Sequence, residues 1–258
     1  MSCPSIAQQP NLQLKQSFKT MSITMFVGGC YYIMLLMFIF ASQYVFADDN
    51  ELDYLQQKGQ TDVWILSKDD KKRNIKTWYK QEEGKHVRTF KIAATLNVPM
   101  EQTAMALVDG NSWQRWFWEC LESKSIKEDS STAESIYYLR VNVPMPFPDR
   151  DTVMHAKIEP YSKEKGKIVL RFHAMPNYIK EVPKVVRARE FSFRIELTPI
   201  SENQTQLDLE GYVDPGKDLP AWAVNFMMRN APYSSILGLE RYVRVLGEEN
   251  KLRFKFRE

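Results

Sequence analysis

The chain predicts an α+β domain: a curved antiparallel sheet wrapped around one long C-terminal helix, with two short helices after the third strand. Three observations predict it. Strand-like stretches alternate apolar and polar residues with period two, the pattern of a sheet that is dry on one face and wet on the other. Short polar turns such as 162–166 and 201–204 join them, which favours hairpin pairing. Residues 219–246 carry apolar side chains at helical spacing and stay apolar almost all the way round until about Arg241. A helix of that kind is buried on more than one side, or faces a sheet, a cavity or a lipid surface.

In chain order, residues 20–47 carry no charge, with Lys15 and Lys19 before them and Asp48 and Asp49 after. A basic start, the dense apolar run 33–40 and the modest residues Val45-Phe46-Ala47 are the layout of a secretory signal peptide over residues 1–47. The run is also long enough to span a bilayer, so an uncleaved anchor is the alternative. With the lysines in front, either arrangement exports the globular portion, to a periplasmic or extracellular place after cleavage and otherwise as an outward-facing anchored domain. Met21 is a second candidate start that removes both lysines. Residues 48–61 read as a linker with a short amphipathic helix at 51–58, Leu52 and Leu55 inward.

The domain proper spans 62–248, followed by a tail, 249–258. Strands at 63–66 and 75–79 flank the polar turn 68–73, and in 87–96 Phe90, Ile92, Ala94 and Leu96 share a face. Helix 100–108 stops at Asp109-Gly110, and a second helix at 113–120 holds Trp113, Trp116 and Trp118. Strands come next at 123–128, 135–143 and, after the proline bend 144–148, at 151–159. Ile168, Leu170 and Phe172 line one side of 167–174; Phe191, Phe193, Ile195 and Leu197 one side of 190–197; Leu207 and Leu209 one side of 205–213. Asp214-Pro215-Gly216 then turns the chain, and Asp218 with Pro220 opens the last helix. Its stripe reads Trp222, Phe226, Tyr233, Ile236, Leu237, Val243, with Val224, Met227, Met228, Leu239 and Tyr242 beside it. Pro232 is expected to kink or divide it, since proline removes a hydrogen bond and crowds the preceding turn. In the tail, 252–256 alternates basic and aromatic residues, as a frayed end or a membrane-surface contact would.

Composition narrows the function. The formal charge of +3 falls by two if Lys15 and Lys19 leave with the leader, which gives no support for a nucleic-acid partner. Of Cys3, Cys30 and Cys120, only the last lies beyond residue 47, so that portion has no internal disulfide; zinc spacing is absent too. No nucleophile elbow, Gly-rich phosphate loop or metal motif accompanies His86, His155 and His173, which read as solvated surface residues. The sequence names no catalytic residue, no metal ligand and no cofactor.

Four stretches carry a family resemblance: Trp113-x-x-Trp116 with Cys120-x-Glu122; 144–151, Pro-Met-Pro-Phe-Pro-Asp-Arg-Asp; 212–216, Tyr-Val-Asp-Pro-Gly; and 219–225, Leu-Pro-Ala-Trp-Ala-Val-Asn. In their order and spacing the chain resembles a START domain, the helix-grip lipid-binding fold of the Bet v 1-like group. The resemblance implies an apolar tunnel between sheet and last helix that holds a lipid or similar hydrophobic molecule, with transient membrane contact. It also implies an acidic and a basic residue inside the tunnel, for which Glu122 and Arg150 are the matching positions. Arg150 held by Asp149 or Asp151 at a strand start is the alternative. Trp222 and Phe226 are lining candidates, Met227 and Met228 adaptable filler, and Trp113 and Trp116 plain core. Phe172, Phe193 and Leu209 are lining or core.

Binding without catalysis, for transfer or sensing, is the leading expectation. Exchange would need the helix near Pro232, or the loop 175–186, to move aside. An enzyme of the same fold group, cyclase- or hydrolase-like, would need two of Glu122, Arg150 and His155 to converge in the cavity. A protein-binding scaffold would have a filled interior. Oligomeric state is not legible.

Overall fold

Pairing register turns the alternating stretches into one curved sheet with a continuous dry face. The structure, a computed structural model, describes residues 62–129, 131–216 and 218–246. The leader 1–47, the helix expected at 51–58 and the tail 249–258 lie outside the described residues. The strands are β1 (Ile65–Asp70), β2 (Ile75–Lys80), β3 (Thr89–Leu96), β4 (Cys120–Asp129), β5 (Glu134–Val141), β6 (Arg150–Glu159), β7 (Ile168–Ala174), β8 (Val186–Arg187), β9 (Glu190–Ser201) and β10 (Gln204–Asp214). Their order is β1-β2-β3-β10-β9-β7-β6-β5-β4, with the two-residue β8 running parallel to β6 and every other pair antiparallel. Hairpins supply most neighbours, as the short turns predict. The long-range seam is β3 against β10, where Ile92 faces Leu209 and Ala94 faces Leu207.

Helix α1 (Met100–Val108) comes after β3 as expected. The second short helix differs: it is a 3-10 segment at Gly110–Arg115, and the chain is already in β4 by Cys120. Packing sets that geometry. Trp113 donates its ring N–H to the Leu107 carbonyl at 3.2 Å and lies 4.9 Å from the Tyr137 ring, whose hydroxyl donates to the Val108 carbonyl at 2.6 Å. These bonds fold the segment back on α1 within a few residues, which the tighter 3-10 turn allows.

The long helix α2 (Ala221–Leu246) runs unbroken through Pro232. Ile236, Leu239 and Val243 are buried in the main core, which also takes in the dry face of the sheet and α1. One contact fixes its height: a Cβ on Gly238 would stand 2.1 Å from the Trp116 carbonyl oxygen, so only glycine admits backbone against backbone here. Nearby the Trp118 amide donates to Ser235 Oγ at 3.2 Å.

The wet face carries a smaller apolar cluster of Ile136, Tyr138 and Val153, covered by Met175, Ile179 and Val182 of the 175–186 loop. Arg187 clamps that loop. It makes two bonds to Asp151, at 2.7 and 3.0 Å, and reaches the Pro176 carbonyl at 2.7 Å. Both partners' side chains are only 1% exposed. The loop expected to move for exchange is thus pinned to the outside of the sheet, away from the face that packs on α2.

Gly238→Ala is expected to lower stability by about 1–3 kcal/mol, because a backbone carbonyl cannot rotate away; denaturant midpoints measure it. Asp151→Asn, which leaves the Arg187 charge buried and unpaired, is expected to lose about 3–5 kcal/mol. Asp149→Asn, which breaks the more exposed pair with Arg140, should lose at most about 1 kcal/mol in the same assay.

Candidate ligand cavity

Between the sheet's dry face and α2 lies a cavity of about 170 Å³. An apolar cavity of about 150 Å³ stays dry and takes up a small apolar molecule, so this hollow is matched to hydrophobic matter and not to water. The sheet contributes Ile92, Phe172, Phe193, Ile195, Leu207 and Leu209 to the wall. Gly211 makes one corner possible: a Cβ there would meet the Phe193 and Phe90 rings at 2.5 and 2.7 Å. No residue of the 175–186 loop is in the wall.

From α2 the wall takes Val224, Met227, Met228, Ala231, Pro232, Ser235, Ile236 and Leu239. Their spacing is one helical stripe. It is rotated from the stripe read through Trp222 and Phe226, which are 54% and 46% exposed and outside the wall. That corrects two candidate lining residues. The largest aromatics face outward, and the helix turns its smaller and more flexible side chains inward, where a guest needs room. Met227 and Met228 are in the wall as expected. Trp113 and Trp116 are both buried core and cavity wall.

Of the remaining candidates, Phe172, Phe193, Leu209 and Arg150 line the cavity. Glu122 does not. It is paired with Lys124 at 3.0 Å and is about half exposed, so the acidic–basic couple implied by the resemblance is not assembled. Neither adjacent aspartate replaces it. Asp149 pairs with Arg140, and Asp151 with Arg187. The alternation of β6 explains this, since consecutive side chains leave opposite faces of the strand.

Arg150 is 2% exposed. It donates Nε–H to the Pro215 carbonyl at 2.9 Å and Nη1–H to the Pro148 carbonyl at 2.5 Å. It thereby ties the proline bend to the turn that leads into α2. Its Nη2 is buried with no partner, as is the ring nitrogen of Trp116. Burial pushes the guanidinium below its ordinary pKa, with the charges of Asp218 and Asp149 opposing from a distance. The tie to Pro215 is not legible in the sequence, because it joins residues 65 apart.

Outside the wall, Trp222 lies 5.9 Å from Phe147, and Phe226 lies 6.1 Å from Trp118. Met145, in the same bend as Phe147, is 90% exposed. Phe117 and Trp118 both border the cavity, so this apolar patch adjoins its wall. The enzyme candidates do not converge: His155 pairs with Glu134 at 3.2 Å, and neither it nor Glu122 is in the wall. His86 and His173 are exposed, as expected, and His155 is partly buried. Among the described residues no group of three or more metal-ligating side chains gathers.

Comparison with known proteins agrees with this architecture. An uncharacterized protein of Pseudomonas aeruginosa is 23% identical over 176 residues, covering 68% of this chain and 84% of that one. The crystal structure of a STAR-related lipid transfer protein fragment from Xanthomonas axonopodis superposes with a TM-score of 0.63 at 25% identity, covering 71% of this chain and 99% of that one. Human StAR-related lipid transfer protein 5 gives a TM-score of 0.63 at 14% identity, with 77% and 94% covered, a likeness of fold alone. The START domain family model matches residues 45–247. With the helix-grip architecture and the hollow beneath the last helix, that match places the chain in the START domain family, as a domain built to bind a hydrophobic ligand.

Proposed function

We propose that this protein carries or senses a lipid or similar hydrophobic molecule by enclosing it between sheet and α2, without transforming it, and that it does so outside the cytoplasm. The observation that carries this reading is the cavity itself: a hollow between sheet and α2, walled almost wholly by apolar side chains. Removing apolar ligand surface from water there is favourable by roughly 25 cal/mol per Å². An empty dry cavity forfeits those contacts, so the domain is best packed when loaded.

The exposed patch supports exchange at a lipid surface. Trp222, Phe226 and Met145 face solvent. Exposed Arg229 stands on the same side of α2, one helical turn beyond Phe226. Aromatic and aliphatic side chains beside a cation are the composition of a segment that rests in the bilayer interface. The patch borders the cavity wall, so docking would bring the lipid phase next to the ligand. Movement of the proline bend 144–148 or of the turn before α2 opens that route, in place of the clamped 175–186 loop.

Native mass spectrometry of protein purified from cells is expected to find one small hydrophobic molecule bound. Protein that is consistently empty and takes up no lipid overturns the proposal. A Trp222→Ser/Phe226→Ser double variant is expected to bind vesicles about tenfold more weakly while retaining its bound molecule. Vesicle co-sedimentation and native mass spectrometry on the same preparation check the two halves of that outcome.

A further inference from the structure

Charge is spread unevenly over the domain. Residues 97–246 hold nineteen Lys and Arg against twenty Asp and Glu, close to balance. Residues 62–96, which contain the first three strands, hold nine against five. Most of that excess sits in one place. From Lys68 to Lys76, across the β1–β2 turn, five basic residues meet two acids, a net of +3. Both acids are engaged within the hairpin: Asp70 with Arg73 at 3.2 Å, and Asp69 with Lys76 at 3.8 Å. Lys71 and Lys72, at the tip, are exposed and join no ion pair among the described residues. Like charges gathered on so short a turn repel one another until a counter-charge comes from outside it.

The tip is also held in a particular place. Tyr233 of α2 donates its hydroxyl to Asp70 at 2.5 Å, and the Lys68 ammonium stands 3.4 Å over the Tyr233 ring. Trp222, Phe226, Arg229 and Tyr233 follow one another at steps of four, three and four residues, so they share one side of α2. The first three are exposed, and Tyr233 is partly covered by the hairpin. At a rise of about 1.5 Å per residue, Tyr233 stands roughly 17 Å along the helix from Trp222. Exposed Asp218 precedes the helix at the aromatic end. The next acid on this side beyond Tyr233 is Glu240, which Arg244 holds at 2.8 Å. An aromatic end and a basic tip therefore lie along one flank of one helix.

Resting on the reading that the aromatic patch meets a lipid surface, we propose that the β1–β2 tip is a second docking element. It recognises the negative headgroups of an anionic bilayer while α2 lies along the surface. Two features favour a bilayer over an acidic protein. The charge at the tip comes from lysines, compact point charges on flexible stems. Arg73, whose planar fork would read a fixed carboxylate, is already on Asp70. Mobile headgroups need charge near the surface and no fixed geometry. The second feature is continuity with side chains that suit the bilayer interface. Tyr233 keeps tip and patch in register, so that seating the patch brings the tip to headgroup depth.

The test uses the protein as purified from cells, phosphatidylcholine vesicles, and vesicles that are half phosphatidylglycerol. Co-sedimentation at about 0.15 M salt is expected to show at least about tenfold tighter binding to the anionic vesicles. Most of that preference is expected to vanish near about 1 M salt, where the screening length falls to roughly 3 Å. Lys71→Gln/Lys72→Gln is expected to bind anionic vesicles about tenfold more weakly, as two lysines near a charged surface imply, and neutral vesicles unchanged. Lys180→Gln/Lys184→Gln, in the clamped 175–186 loop, removes the same charge and is expected to change neither. The basic tail 249–258 is common to all three proteins, so it does not imitate the difference. Wild-type protein that binds both vesicles equally overturns the tip as a docking element. So does a Lys71/Lys72 variant no weaker than the Lys180/Lys184 one. Native mass spectrometry of the same preparations reports separately whether a hydrophobic molecule is carried. Tighter binding to polyglutamate than to the anionic vesicles overturns the bilayer in favour of an acidic protein surface. Protein that binds neither vesicle overturns the docking role of the aromatic patch along with that of the tip.

Discussion

The whole domain depends on where the last helix is allowed to touch the layer beneath it. At Gly238 the helix backbone meets the Trp116 carbonyl with no side chain between them. Beyond that point Val243 packs into the core as any helix on a sheet would. Before it, the helix carries Val224, Met227, Met228 and Ala231 along the hollow's wall. A close contact toward the C-terminal part and a cavity beneath the turns that lead up to it are two sides of one arrangement. Residues with volume at the crossing would lift the whole helix, and residues with volume at the wall would fill the hollow.

Polar groups are distributed to match. The sheet's wet face holds the surface ion pairs, such as Lys167 with Glu196 and Arg171 with Glu159. The fully buried ion pair of Asp151 with Arg187 closes a loop over the outside of the sheet and so keeps the second apolar cluster dry. Arg150, next along the strand, points the other way and into the wall. Consecutive residues of β6 therefore do opposite work: one completes a structure, and the other leaves a valence open.

Much of the fold is legible in the sequence because period-two alternation is a strong signal when one face is wet. Phe191, Phe193, Ile195 and Leu197 read as one side of a strand, and all four join the core or pack against it. Where sequence and structure part, the reasons are identifiable. Three tryptophans suggest a second helix through all of them, but hydrogen bonds from Trp113 and Tyr137 to the end of α1 set the geometry there, and those are tertiary. The largest apolar residues of α2 suggest its inward stripe. In a helix apolar on nearly every side, size does not tell which face is inward, and here the inward face is the one that leaves space. Family resemblance pairs Glu122 with Arg150; in the fold Glu122 pairs with Lys124, two residues on along the same face of β4, and stays outside the cavity. Phe172, Phe193 and Leu209 reach the wall because alternation alone places them on the dry face.

The seam between β3 and β10 has a kinetic side. Thr205 Oγ1 bonds the Val98 carbonyl across 107 residues, and β10 is the last strand to be made. Hairpins β4–β7 can form as they emerge, but β1–β3 have no neighbour on their inner edge until β10 arrives, and α2 comes later still. Such non-local pairings slow folding because distant parts of the chain must meet before any contact holds them. The compartment for the guest is therefore the last thing the polypeptide completes, and a lipid present at that moment can be wrapped during assembly instead of threaded in afterwards.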